Sequence, residues 1–134
     1  LDGVVTGSYN NAFGQNCMGA NTSGHRNTAM GQDALANNTT GAKNTAIGNS
    51  ALVQNNADSN TAVGNSALEA NTSGADNVGV GRETLKVTTT GYDQTAIGSL
   101  AGSTSTGHNN VFLGYNSQPP SAHNNNCIVL CFCD

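Results

Sequence analysis

Residues 44–52 read NTAIGNSAL and residues 60–68 read NTAVGNSAL, two stretches 16 residues apart that differ at one position. Their first five letters recur along the chain at Asn10 (NNAFG), Asn27 (NTAMG), Asn44, Asn60, Asn77 (NVGVG), Gln94 (QTAIG) and Asn110 (NVFLG), at intervals of 17, 17, 16, 17, 17 and 16. A fixed period of this length marks one supersecondary unit stacked on itself. Such stacks present long surfaces and seldom build a single catalytic pocket.

Aligning the copies produces columns. Behind the motif comes a small residue (Cys17, Ala34, Ala51, Ala67, Thr84, Ala101, Ser117), then Met18, Leu35, Leu52, Leu68, Leu85 and Gly102. A polar turn closes on glycine at Gly7, Gly24, Gly41, Gly74, Gly91 and Gly107, whereas the 55–59 turn (NNADS) is one residue short and lacks it. Asn, Thr and Gly suit such turns because they tolerate left-handed backbone or bond their own main chain. Four residues between glycines, as in NSAL or QDAL, are too few for a helix.

The motif itself alternates like a strand, with Thr45 and Ile47 on one face and Asn44, Ala46 and Gly48 on the other. Val78 and Val111 stand where other copies have threonine. The expectation is therefore that this face points inward. The core is then Met30, Ile47, Val63, Val80, Ile97 and Leu113 together with Leu35, Leu52, Leu68 and Leu85. The opposite, flat column of Ala29, Ala46, Ala62 and Ala96 is expected to be the face on which another copy packs. A coil of about 17 residues has room for two short strands and two turns, and seven coils at the inter-strand spacing span about 35 Å. The predicted fold is all-β: a parallel β-solenoid, or β-roll, of about seven coils over residues 1–118. A closing segment with a Cys-rich strand follows at 119–134. Asn10, Asn27, Asn44, Asn60 and Asn77 should stack into a ladder of side-chain amides. With only two or three apolar side chains per coil, a homo-oligomer is expected.

Composition narrows the function classes. The hydrophobic share is 36%, aromatics are 4% and Trp is absent. Charged residues make up 9%, the net charge is −4, and the only cations are Arg26, Lys43, Arg82 and Lys86. No basic stripe exists to neutralise phosphates, which argues against nucleic-acid binding. No apolar run approaches a membrane span. Leu1 falls in register with Leu35 and Leu52, so an excerpt from a longer array is expected.

NTAIGNSAL and NTAVGNSAL, punctuated by NTSG or NTTG, resemble the head repeats of trimeric autotransporter adhesins. They resemble still more the related repeats of phage and algal-virus tail fibres. The stretch GYNSQPPSAHNNNCIVL (Gly114 to Leu130) resembles the segment that closes such arrays, often before a self-cleaving chaperone domain. The likeness covers about residues 6–130. It implies a trimeric β-solenoid displayed outside a cell or virion for projection and attachment, with a host-surface glycan or protein as receptor. The chain departs from the family's glycine-containing tail by ending on Cys127-Ile-Val-Leu-Cys131-Phe-Cys133-Asp134.

Other constellations carry little chemistry. Cys127, Cys131 and Cys133 share one face of a strand. Neighbours along a strand are too far apart for an easy disulfide, so the options are pairing between chains or across coils, free thiols, or a metal, for which C-x3-C-x-C is not a common zinc spacing. Cys17 stands in an alanine column. Asn21, Asn37, Asn38 and Asn71 begin N-x-[ST] sequons, with Asn21, Asn38 and Asn71 in one column. His25, His108 and His123 are scattered, the acids do not recur as a pair, and no phosphate-cradling loop or metal triad is seen. No enzyme activity and no cofactor are expected. Beyond the fibre or adhesin function, two alternatives stand: a filament subunit joined end to end by coil stacking, and an ice-binding solenoid using the Thr28, Thr45, Thr61 and Thr95 column.

Overall fold

The computed structural model describes residues 6–131. Among them are eight strands: β1 (Asn11–Phe13), β2 (Thr28–Met30), β3 (Thr45–Ile47), β4 (Thr61–Val63), β5 (Val78–Val80), β6 (Thr95–Ile97), β7 (Val111–Leu113) and β8 (Ile128–Leu130). They form one sheet in the order β1 to β8, every pair parallel and in register with its neighbour. The architecture is the expected all-β parallel solenoid of about seven turns. The register adds an eighth motif copy that the letters hide, because Ile128 pairs with Val111, 17 residues earlier. The closing segment thus supplies a strand to the same sheet.

Each coil contains one strand of three residues, not the two anticipated. The reason lies in the backbone after the motif. The strand-end glycines Gly14, Gly31, Gly48, Gly64, Gly81, Gly98 and Gly114 have φ between 104° and 142°. Two and four residues later come left-handed side-chain residues, such as Ser50 (φ 55°) and Leu52 (φ 51°). An alternating left-handed path cannot make a second extended strand. Each left-handed L-residue costs about 1–2 kcal/mol, and Leu35, Leu52, Leu68 and Leu85 all accept that cost. Each is fully buried, which contributes about 1.5–3 kcal/mol. Each also donates its N–H to the next coil, as Leu35 does to Ala51 O at 3.0 Å and Leu52 to Ala67 O at 3.0 Å.

The asparagine ladder forms, but not from amide to amide. Asn27 Oδ1 accepts the backbone N–H of Asn44 at 2.9 Å, and Asn27 Nδ2 donates to Gly41 O at 2.8 Å. Asn44 treats Asn60 N–H and Ala57 O in the same way, and Asn60 treats Asn77 N–H and Gly74 O. One side chain thus pins the following coil at two points. A second, buried column (Asn21, Asn38, Asn55, Asn71) bonds the turn carbonyls of Gly24, Gly41, Ala57 and Gly74.

The facing of the sheet corrects the sequence expectation. Ala29, Ala46, Ala62 and Ala96 lie inside the coil, 0–1% exposed, and are not an oligomer face. Met30 (50% exposed), Ile47 (37%), Ile97 (46%) and Leu113 (37%) point outward, with Val63 and Val80 half-buried beside them. The interior is narrow: the strand's central side chain meets the leucine column and the small column directly, so only a methyl fits. The exceptions show the limit. Gly79 faces Thr84, and a Cβ on Gly79 would sit 2.8 Å from Thr84 Oγ1. Phe112 enters where the leucine column stops, and a Cβ on Gly102 would sit 2.6 Å from the Phe112 ring.

The two 16-residue intervals shorten the same turn. Asn55-Asn56-Ala57 replaces the four residues of Asn38-Thr39-Thr40-Gly41, and Ser105-Thr106-Gly107 replaces Thr88-Thr89-Thr90-Gly91. In both places the strands on either side keep their register.

Two stability experiments test this packing. Gly79→Ala alone should destabilise the chain by about 1–3 kcal/mol in urea unfolding. Adding Thr84→Ala should recover most of it, a coupling of about 1 kcal/mol or more; additive effects would mean that the two side chains do not share space. Asn60→Ala orphans the buried Asn77 N–H, while the Gly74 carbonyl keeps its bond from Asn71 Nδ2, and should cost about 1–3 kcal/mol, against little for the exposed Asn65→Ala.

Candidate functional site

The outer face of the sheet is the largest organised surface. Because strand side chains alternate, each strand presents two residues outward: Thr28 and Met30, Thr45 and Ile47, Thr61 and Val63, Val78 and Val80, Thr95 and Ile97, Val111 and Leu113, Ile128 and Leu130. Parallel in-register pairing stacks them into two straight columns. None of the strand residues is charged. Phe13, 76% exposed, begins the apolar column, and Leu130, 50% exposed, ends its described part. Eight strands at the sheet spacing give a ribbon about 34 Å long, and its area is on the order of 300 Å², the size at which an apolar patch on a monomer is often functional.

A second feature lies at one turn. Thr6, Gly7, Ser8, Tyr9, Ser23, His25 and Arg26 line an open dent of about 210 Å³. The Arg26 guanidinium sits over the Tyr9 ring, 6.0 Å from its centroid. The same turn column carries a parallel stack of Tyr92 on His108, with centroids 4.7 Å apart. Arg82, Glu83, Lys86 and Glu69 form exposed ion pairs, which contribute little to stability in this setting.

The structure separates the residues that the sequence had singled out as modification sites. Asn21, Asn38 and Asn71 are 0–1% exposed, and their Nδ2 atoms donate to turn carbonyls. The amide that a glycan would occupy is engaged inside the coil, so these three are corrected from glycosylation sites to ladder residues. Asn37, one position earlier, is exposed and donates to Gln54 Oε1 at 3.3 Å. Cys127 is half-buried and Cys131 exposed, both as free thiols at opposite ends of β8. Cys133 lies outside the described residues. Cys17 is buried, donates to Ala29 O at 3.3 Å, and burial pushes its thiol pKa up.

Among the described residues, no three His, Cys, Asp or Glu side chains converge as metal ligands, and no helix is long and apolar enough to cross a membrane. Fold and surface together define a β-solenoid repeat protein. Comparison with protein-family models, with curated proteins and with solved structures found no match.

The thiols differ enough to test the burial pattern. Cys131 should react with a maleimide within minutes at neutral pH, whereas Cys17 should react only at the rate of coil opening, because burial both shields it and disfavours its thiolate. Equal rates would place Cys17 at the surface.

Proposed function

We propose that this chain is a non-enzymatic structural module of an extracellular or virion-surface fibre or adhesin, in which three copies associate through the outer face of the sheet. The observation that supports it most is the uncharged double column left open along the eight strands, with Thr or Val beside Met, Ile, Val or Leu from β2 to β7. The coil interior already consumes its small share of apolar side chains. Covering the outer ribbon is the remaining source of hydrophobic stabilisation. Projection follows from the geometry, since a stack rigid along its axis lengthens by one strand spacing per coil. Attachment to a glycan or protein receptor falls to the turns, where side chains vary from coil to coil.

One observation favours a second function. Thr28, Thr45, Thr61 and Thr95 face outward on a flat sheet, which is what an ice-binding surface uses. Val78 and Val111 interrupt that column.

Light scattering separates the two. The trimer predicts a discrete mass three times that of the chain at micromolar concentration, and Ile47→Asp with Ile97→Asp should reduce it to monomer while leaving the circular dichroism unchanged. A parent chain that stays monomeric overturns the fibre proposal. A monomer that also shows thermal hysteresis, lost on Thr61→Lys, establishes the alternative.

A further inference from the structure

Three contacts recur between successive coils; Gln94 interrupts the first, Gln54, Val87 and Thr104 depart from the third, and only the second is kept from Gly14 to Gly114. The first is the motif asparagine, whose Oδ1 accepts the following coil's backbone N–H, from Asn27 on Asn10 at 2.9 Å to Cys127 on Asn110 at 2.9 Å. The second is the strand-end glycine. A Cβ at Gly14, Gly31, Gly48, Gly64, Gly81 or Gly98 would lie no farther than 2.7 Å from the carbonyl carbon or oxygen of the next glycine in the column. At φ between 104° and 142°, no side-chain residue is comfortable there. The column is glycine in all seven copies from Gly14 to Gly114. The third is a backbone donor beyond the leucine column. Ala20, Asn37 and Ala70 use it to reach Ala36 O, Val53 O and Lys86 O at 2.8, 3.0 and 3.1 Å.

The coil carrying β8 departs at all three positions, including the glycine column that every earlier coil keeps. Cys127 occupies the asparagine position and offers a thiol in place of an amide oxygen. Cys131 occupies the glycine position: it pairs with Gly114, whose added Cβ would meet Cys131 O at 2.6 Å. It brings a side chain to a column that is glycine in every earlier coil, and it does not adopt the positive φ those glycines share. Pro120 lies 16 residues after Thr104 in the donor column, and proline has no N–H to donate. Gln118 compensates for the broken ladder beneath. Its Oε1 accepts Thr104 N–H at 3.1 Å and the Thr104 hydroxyl at 2.8 Å, while its Nε2 donates to Leu100 O at 2.6 Å. At the other end, the first described coil keeps Asn10, Gly14 and Ala20.

We propose that the coil carrying β8 is a stop. It refuses a further coil of this kind on its C-terminal side, whether from the same chain or from a second copy, so the stack cannot lengthen coaxially there. Sheets use proline and poorly stacking side chains on edge strands to avoid edge-to-edge joining. The stop argues against an end-to-end filament and leaves lateral association untouched.

The test restores the repeat. The full chain carrying Pro120→Ala, Cys127→Asn and Cys131→Gly is compared with the parent in reductant, by sedimentation velocity and negative-stain microscopy. The parent should form particles of fixed length. The variant should form rods that lengthen with concentration. Parent rods as long as the variant's, or a variant that does not lengthen, overturns the proposal. The reverse transplant gives a second measurement. Asn60→Cys with Gly64→Cys places the stop inside the array and should lower Tm by roughly 10 °C or more, or abolish the transition; an unchanged Tm overturns the steric basis.

Discussion

The structure depends on one small polar side chain spent twice. Each motif asparagine gives its oxygen to the backbone N–H of the next coil and its nitrogen to the next turn carbonyl. These groups are buried, so leaving either unpaired costs about 1–3 kcal/mol. A hydrophobic core of ordinary size would dilute such a term. Here the core is a column of methyl groups against a column of leucines, and the polar ladder carries the alignment. Where Gln94 takes the place, the arrangement changes: its Oε1 accepts from Ser105 Oγ at 2.7 Å and its Nε2 turns to Thr88 Oγ1 at 3.3 Å. The longer amide is matched by hydroxyl residues in the neighbouring column.

The period was fully legible in the letters, and with it the parallel register and the leucine column. Both follow from identity at fixed spacing, which needs no knowledge of facing. The facing itself was misjudged. Threonine exchanging with valine suggested an interior, but the same exchange suits a half-exposed sheet surface. The decisive signal was in the letters as well: where one column grows, its partner shrinks, as Thr84 with Gly79 and Phe112 with Gly102. Residues that trade volume must touch, which places alanine inside. A strand in the closing segment was expected, but its place as an eighth copy in the same register was hidden, because Cys127 to Cys131 keeps neither the threonine nor the glycine of the motif. The sequons misled because the turn chemistry of NTSG and the glycosylation acceptor share their letters, and burial alone separates them.

The interior and the exterior of the sheet answer to different constraints. Inside, a change of one methyl group is felt at once. Outside, Met, Ile, Val and Leu replace one another freely along one column while none is replaced by a charge. The outer column thus varies in shape but carries no charge. That pattern is the observation on which the proposed association through this face rests.

The shortened turns have a different bearing. Both deletions fall between the buried Asn/Thr/Ser column and the turn glycine column, and neither disturbs the pairing of the strands around them. Length is thus negotiable along a single ridge and fixed everywhere else in the coil. A ridge that absorbs a missing residue is the natural place to absorb extra ones. Loops of foreign sequence could be set there at intervals of one strand spacing, turning the array into a ruler on which displayed peptides are held at regular, chosen distances.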